Sequence, residues 1–534
     1  MNHEKRISVL DVTLRDGGCV NNFNFGQVYM DDILAAQESS GVEYIELGYL
    51  DEINGSLYGR TQYCSVEAIT DNFFKEKKDG VCYLTMMDYG KFDPNKLPER
   101  DDGSIDGIRL AFHKKDVNKI KESGRIILDK GYMLFIQPMI TLRYSDRELL
   151  DLIDMVNEYL PDATAFYIVD SFGEMRPRDV ERMVHLVDNN LSLEMALGFH
   201  SHNNLQLSYS NAMTLLQLGL GRKLMLDSSI MGMGKGAGNL NTELLLEHIN
   251  IYYGGHYNIA PLLEVIDSCV GVLHEEYMWG YSPEYYLSSI NHCSPTYAGY
   301  LYGKHRLRID QIGDILSSLD ESKRISFDKS YVEEKYREYN LKNTTDDSDA
   351  VSRLYSVMKN KKVLVVAPGS SIKDSMGKLK GLAVEQDVVT FALNAEYDID
   401  VDYILITRPD AELHLRETIA QRILVSNIKD RKRATDSRDI VIDYKKWIYE
   451  DSETRDSAGV ICLNLLKDSG AKKLMLAGFD GFSADINDNY FEPLMRTTLT
   501  ESRAIDRNDF FSKFLCELKR HIEIEFITPT RYEV

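Results

Sequence analysis

The chain is short of positive charge. Its 62 lysines and arginines stand against 84 aspartates and glutamates, a formal net charge of −22 over 534 residues. Nucleic-acid binding needs a basic face, so nucleic acid is not expected as a partner, and neither is an anionic membrane surface. No run approaches the roughly eighteen apolar residues of a membrane-spanning helix. The segment MNHEKRISVLDVTLRDGG lacks the apolar core and cleavage site of a secretory leader. The seven cysteines include no CxxC pair, and an odd, scattered set reads as reduced thiols rather than a disulfide framework. Together these absences predict a cytoplasmic protein.

What is present is a globular composition, 43% hydrophobic and 27% charged. Strand-like runs alternate with amphipathic helical stretches from residue 7 to about 255. The strands are read as Ile7–Leu14, Val42–Leu50, Val81–Tyr89, Ile105–Phe112, Tyr132–Ile140, Ala165–Ser171, Met195–His202 and Lys223–Ile230. Strands alternating with helices imply a parallel sheet, and this number of them implies a closed (β/α)8 barrel over residues 1–300. Helices continue through a Tyr-rich stretch at 282–307, expected to pack on or near the barrel or at an oligomer surface, so a homo-oligomer is expected. Residues 301–352 read as a helical extension and linker, with the polar, aperiodic segment 338–352 as the linker itself. A second alternating block at 353–534 predicts a Rossmann-like, doubly wound α/β domain.

In a barrel the site is built at the C-terminal ends of different strands. His200 and His202 are one residue apart on a predicted strand, so their side chains point the same way and can converge on one ion. Asp16 would complete a mixed nitrogen–oxygen set suited to Mn²⁺, Mg²⁺, Fe²⁺, Co²⁺ or Zn²⁺. Arg15 neighbours Asp16, and strand alternation would separate them, but the strand is ending there and Gly17-Gly18 permits a sharp turn. A fixed cation beside a metal suits enolate chemistry, because both share the negative charge that develops. The glycine-rich MGMGKGAGNLNTE (231–243) reads either as a flexible loop with an anion nest or as a tight loop carrying the Asn239 amide to the metal.

Together DVTLRDGG, GFHSHNNLQLSYSNA (198–212) and GMGKGAGNLNTE resemble the DRE-TIM metallolyase superfamily, which includes 4-hydroxy-2-oxovalerate aldolase, HMG-CoA lyase and the isopropylmalate synthases. IRLAFHKKD (108–116) and IVDSFGEM (168–175) look nearest to the aldolase branch. The resemblance implies metal ligation by Asp16, His200, His202 and Asn239, with Mn²⁺ or Mg²⁺ expected first. It implies enolate stabilisation by Arg15, organised by Glu46, and substrate contacts from Ser171, Arg109 and His113. The aldolases carry a histidine base shortly after the DG pair and the acyl-CoA synthases a Glu-Gln pair. This chain has Gly17-Gly18-Cys19-Val20-Asn21-Asn22 instead. The base is therefore left open between metal-bound water, Cys19, His113 and Tyr89.

In the second block, APGSSI, FALN (391–394) and DSAGVICLNLLKDSGAKKLMLAGFDGF (456–482) resemble bacterial family 42 sialyltransferases. That resemblance implies a nucleotide or nucleotide-sugar near Gly369, Ser370, Ser371 and Asn394, with Ser457, Gly459 and Asp480 lining the cleft. The family's catalytic histidine has no match, since His414 and His521 are badly placed. The combined expectation is a metal-dependent aldolase using a 2-oxo acid such as pyruvate and an aldehyde, joined to a nucleotide-binding domain. The alternatives are an acyl-CoA-dependent Claisen-type synthase and a non-catalytic scaffold.

Overall fold

The computed structural model describes residues 7–52, 57–73, 77–342, 345–415, 418–427, 439–449, 454–491 and 501–534. The chain divides into two compact units, Met1–Ala298 and Gly299–Val534. Residues 301–352 belong to the second unit. Much of the expected linker is helical, with helices at Lys329–Leu341 and Ser348–Met358. Their apolar contacts recur too sparsely for periodicity to reveal them: Val332 and Tyr336 are buried in the first, Leu354 and Met358 in the second.

The first unit is a closed parallel barrel. Its strands are β1 (Ile7–Asp11), β2 (Tyr44–Leu50), β4 (Cys82–Asp88), β5 (Gly107–Phe112), β6 (Met133–Pro138), β7 (Ala165–Asp170), β8 (Ala196–Ser201) and β9 (Leu224–Ser228). A two-residue strand β3 (Gln62–Tyr63) pairs with the end of β2. Each barrel strand pairs in parallel with the next, and β1 pairs with both β2 and β9, which closes the cylinder. Side-chain alternation sorts the residues into two layers. Leu10, Leu84, Phe135, Ala165, Tyr167 and Met225 fill the barrel interior. Val9, Ile45, Ile108, Phe166 and Ile168 face outward to the surrounding helices. Strands buried on both faces read as continuous apolar runs, which is why they were legible in the sequence.

The second unit holds an open, wholly parallel sheet. Its strands are β10 (Lys362–Val366), β11 (Val388–Leu393), β12 (Tyr403–Ile406), β13 (Gln421–Val425), β14 (Ile440–Ile442), β15 (Lys473–Ala477) and β16 (Glu523–Phe526). Their order is β14-β13-β12-β11-β10-β15-β16. The chain winds outward from β10 to β14, then returns to lay β15 on the other side of β10. That reversal makes a topological switch point at the C-terminal end of β10. The sheet is covered on both faces, Val363, Val365 and Phe391 on one and Leu364, Val366 and Met475 on the other. Strand β14 is three residues long and lies at the edge of the sheet. No helix among the described residues is long and apolar enough to cross a membrane.

Candidate active site and metal centre

Strand β1 ends at Asp11, and the backbone then coils, with the Arg15 and Asp16 amides both donating to the Val12 carbonyl (3.1 and 2.8 Å). This turn removes the alternation that would have split Arg15 from Asp16. The turn is pinned from below. Buried Asp11 accepts from the Thr13 amide and hydroxyl, from Gln37 and from Thr242, while Thr13 Oγ1 accepts from the Ile230 amide beyond β9.

Asp16, His200 and His202 are all buried and come together. Each offers a ligand atom, and these atoms lie within 4.8 Å of one another. His200 Nδ1 is hydrogen-bonded to Asp227 Oδ2 at 2.8 Å, which leaves Nε2 for a metal. Asn239 Nδ2 donates to Asp16 Oδ2 (2.8 Å) and to the Met233 carbonyl (3.1 Å). Asn239 Oδ1 and His202 Nδ1 are buried without a hydrogen-bond partner. Orphaned buried acceptors are costly unless something occupies them, and a cation beside a carboxylate would satisfy both. The residues therefore fit a divalent metal. The loop after β9 is shaped for this approach: a Cβ on Gly234 would lie 2.3 Å from Asn239 Nδ2 and 2.6 Å from Asp16 Oδ2.

The electrostatics agree. Burial alone would raise the Asp16 pKa, but Arg15, His202 and His200 together hold it well below the carboxylate range. Burial lowers His202 to about 4, so its imidazole is neutral and able to ligate at ordinary pH.

Arg15 forks between two carboxylates. Its Nε donates to Glu46 Oε2 and its Nη1 to Asp16 Oδ1, both at 2.7 Å. Its Nη2 is buried with no hydrogen-bond partner among the described residues. A guanidinium fixed at two corners and open at the third is oriented to receive an anion. Glu46, fully buried, also accepts from Arg109 Nη1 at 2.7 Å.

Arg109 is enclosed by protein. It is 0% exposed and binds Glu46 and Asp227, with its guanidinium over the Tyr167 ring (4.9 Å). Its guanidinium is held between those two carboxylates. Gly198 makes room for this stack, since a Cβ there would lie 2.3 Å from the Tyr167 ring. The Ser171 hydroxyl accepts from the Ile140 amide (3.0 Å) and is half-buried. His113 is half-buried just past β5, and burial lowers its pKa.

Three residues escaped the sequence reading. Asp227 bridges Arg109 to His200. A lone carboxylate at an inward position of the apolar strand LMLDS was the available signal. Asp88 ends β4 and is hydrogen-bonded by the Tyr49 phenol from β2. Burial raises the Asp88 pKa, and its charge is felt by Arg15, His113 and Cys19. Cys19 sits at the open mouth, but surrounding protein and the Asp16 carboxylate push its thiol up to about 12.

Residues 113–259 match the HMGL-like family model. The chain is 26% identical over 275 residues to 4-hydroxy-2-oxovalerate aldolase of Bacillus thuringiensis (strain Al Hakam), covering 51% of this chain and 78% of that protein. It is 29% identical over 275 residues to the enzyme of the same name from Pseudoalteromonas translucida (strain TAC 125), covering 50% and 76%. Among solved structures, the N-terminal domain of a provisionally named aldolase from Bacteroides vulgatus superposes with a TM-score of 0.47 at 26% identity. That superposition covers 55% of this chain and 96% of the other.

In the second unit, the Ser371 amide donates to Asp480 Oδ2 (2.7 Å), and its hydroxyl donates to Asp480 Oδ1. The Ser370 hydroxyl donates to the Asp488 carbonyl at 2.8 Å. A Cβ on Gly369 would lie 2.3 Å from the Gly478 carbonyl oxygen. Asn394 is held by Thr407: its Oδ1 accepts from the Thr407 amide (2.7 Å) and its Nδ2 donates to the hydroxyl (3.0 Å). Ser457 caps the helix Ala458–Lys467, and Gly459 and Asp480 line the same cavity.

Proposed function

We propose that the barrel is a divalent-metal-dependent carbon–carbon lyase that cleaves, or forms, a 4-hydroxy-2-oxo acid through a pyruvate-type enolate. The aldolases at 26–29% identity support the class. The observation that carries the reading is the unpartnered Arg15 Nη2 beside the Asp16–His200–His202 cluster. Asp16, His200, His202 and Asn239 would hold the metal, Mn²⁺ or Mg²⁺ by the resemblance, where it would supply Lewis-acid polarisation of a 2-oxo acid.

The chain's own groups divide the remaining work. In the cleavage direction the Asp88 carboxylate takes the C4 hydroxyl proton. The C3–C4 bond breaks, an aldehyde departs, and the electron pair moves onto the C2 oxygen. Arg15 Nη2 donates to that oxygen, and the proton held by Asp88 passes to C3, which completes the 2-oxo acid and returns Asp88 to its carboxylate. Glu46 and Arg109 hold Arg15 in register, and Ser171 and His113 stand at the rim where the substrate enters. Asp88, with its raised pKa and Tyr49 partner, replaces the histidine base that the sequence lacks after Gly18.

The test is metal content together with solvent-deuterium exchange into the methyl group of pyruvate. About one metal per chain with exchange that vanishes in His200→Ala is the expected result. Metal without exchange redirects the assignment to an acyl-CoA-dependent synthase, and absence of both to a scaffold.

A further inference from the structure

The barrel mouth carries a guanidinium that the proposed reaction does not use. Arg60 stands just before β3, the two-residue strand paired with the C-terminal end of β2. Its backbone bridges to Asn24, and its Nη2 donates to the Asn22 carbonyl at 2.7 Å. Asn22 belongs to the loop that leads out of the Arg15–Asp16 turn. Gly48 lets the segment close on β2, since a Cβ there would lie 2.2 Å from the Thr61 carbonyl oxygen. Arg60 is thereby anchored on the rim of the site.

Its surroundings differ from those of the other mouth guanidinium groups. Arg15 and Arg109 are each shared by two carboxylates, and Arg143 is paired with Glu174. No carboxylate pairs with Arg60 among the described residues. Besides the Asn22 carbonyl, Arg60 Nη2 meets Gln62 Oε1 at 3.5 Å. Buried Asp51 accepts from Gln62 Nε2 (3.1 Å), which turns the Gln62 amide oxygen toward Arg60. Arg60 Nε is buried with no hydrogen-bond partner among the described residues, and so are both polar side-chain atoms of Asn21, in the loop that Arg60 grips. In a chain of net charge −22, an anchored guanidinium without a carboxylate is a receptor for an anion that arrives with the substrate.

The aromatic groups between Asp88 and Arg60 set the direction. The Tyr49 phenol is hydrogen-bonded to Asp88, and its ring is stacked on Phe23 with centroids 6.1 Å apart. Phe23 follows Asn22, and its carbonyl accepts from the Thr61 amide (3.0 Å). Tyr49 and Phe23 thus lead from the Asp88 carboxylate to the segment that bears Arg60. Asp88 faces C4 in the proposed reaction, so the part of the substrate beyond C4, which departs as the aldehyde, runs along these rings.

We infer that the aldehyde half of the substrate ends in an anion, a carboxylate or a phosphate, and that Arg60 recognises it. The inference rests on the aldolase reading of the barrel and names its substrate class, an acidic aldehyde rather than an alkyl one.

The metal-loaded full chain is assayed for cleavage of three 4-hydroxy-2-oxo acids of matched length, ending in a methyl group, a carboxylate and a phosphate ester. At least one anionic member should exceed the methyl-ended acid in kcat/KM by about tenfold or more, mainly through KM, and the arm that does so names the anion. Arg60→Gln should bring that ratio to near one. Two substrates are compared on one preparation, so a loss of folded protein cancels from the ratio. If Arg60→Gln yields no folded protein, Arg60→Lys decides: it keeps the charge without the planar fork and should lower the ratio by about threefold or more. Equal or better cleavage of the methyl-ended acid, or a preference that survives the substitution, would overturn the inference and leave the aldolase reading standing. Cleavage of none of the three while pyruvate still exchanges deuterium would overturn the inference alone. Absence of both cleavage and exchange would overturn the aldolase reading and the inference with it.

Discussion

The two α/β units use the C-terminal ends of parallel strands differently. In the closed barrel the ends converge on one axis, so charged groups from five strands meet: Asp16, Glu46, Arg109, His200 and Asp227. In the open sheet the ends fan apart, and the polar groups line a wall. The barrel cluster leaves atoms without partners, namely Arg15 Nη2, Asn239 Oδ1 and His202 Nδ1. The turn after β10 leaves far less open, because Asp480 answers Ser371 directly. Polar residues at strand ends do not make a reacting site by themselves. The site lies where a rigid network holds some of its donors and acceptors unsatisfied.

That contrast can be broken most forcefully at Asp88. If it supplies the missing base, Asp88→Asn lowers kcat on the 4-hydroxy-2-oxo acid by about 10²–10⁴ while metal content is unchanged. Its pKa is raised by burial, so the wild-type kcat/KM should climb with pH as this carboxyl deprotonates. The limb should disappear in the variant. A persisting limb with near-normal kcat would return the role to another group. The next largest effect belongs to Arg15. Losing one donor to a developing oxyanion costs about 10²–10³ in rate, so Arg15→Ala should fall in that range with metal retained. Near-normal turnover would mean that the unpartnered Nη2 serves nothing.

Much of this was legible in the sequence, and the reasons are physical. Strands buried on both faces write themselves as apolar runs, so all eight barrel strands were found within a few residues. His200 and His202 were legible because strand alternation fixes their common direction. Asp16 was harder, since it lies beyond the end of β1 on a coiled turn that alternation does not govern. The carboxylate partners of Arg109 were not legible, because a sequence does not say which inward layer of a barrel a residue occupies; the layer beneath the site and the site itself share one register. Asp227 and Asp88 were missed for the same reason, and Tyr49 needed the spatial approach of β2 to β4. In the second unit, the Ser371–Asp480 hydrogen bonds join residues far apart in sequence, so no local pattern announces them.

A subtler prediction sharpens the role of the supporting layer. Asp227→Asn keeps the side-chain shape but removes the charge between Arg109 and His200. Outer partners of metal ligands are typically worth 10–100-fold in metal affinity, and a loss of about that size is expected by chelator competition. Unchanged affinity would show that Asp227 only packs.

The smallest expected effect lies in the open sheet and tests whether its helix terminus is structural or ligand-bearing. Ser457 caps the helix Ala458–Lys467, its hydroxyl accepting from the Val460 amide at 3.2 Å. The hydroxyl is engaged within the helix even though Ser457 lines the cavity. Ser457→Ala should therefore cost about 1 kcal/mol of stability, the usual value of an N-cap, read by denaturant unfolding of the full chain. Unchanged stability would show that the hydroxyl does not hold the helix terminus, and the contrast with the barrel would narrow, since the open sheet too would keep an unengaged polar group at its cavity wall.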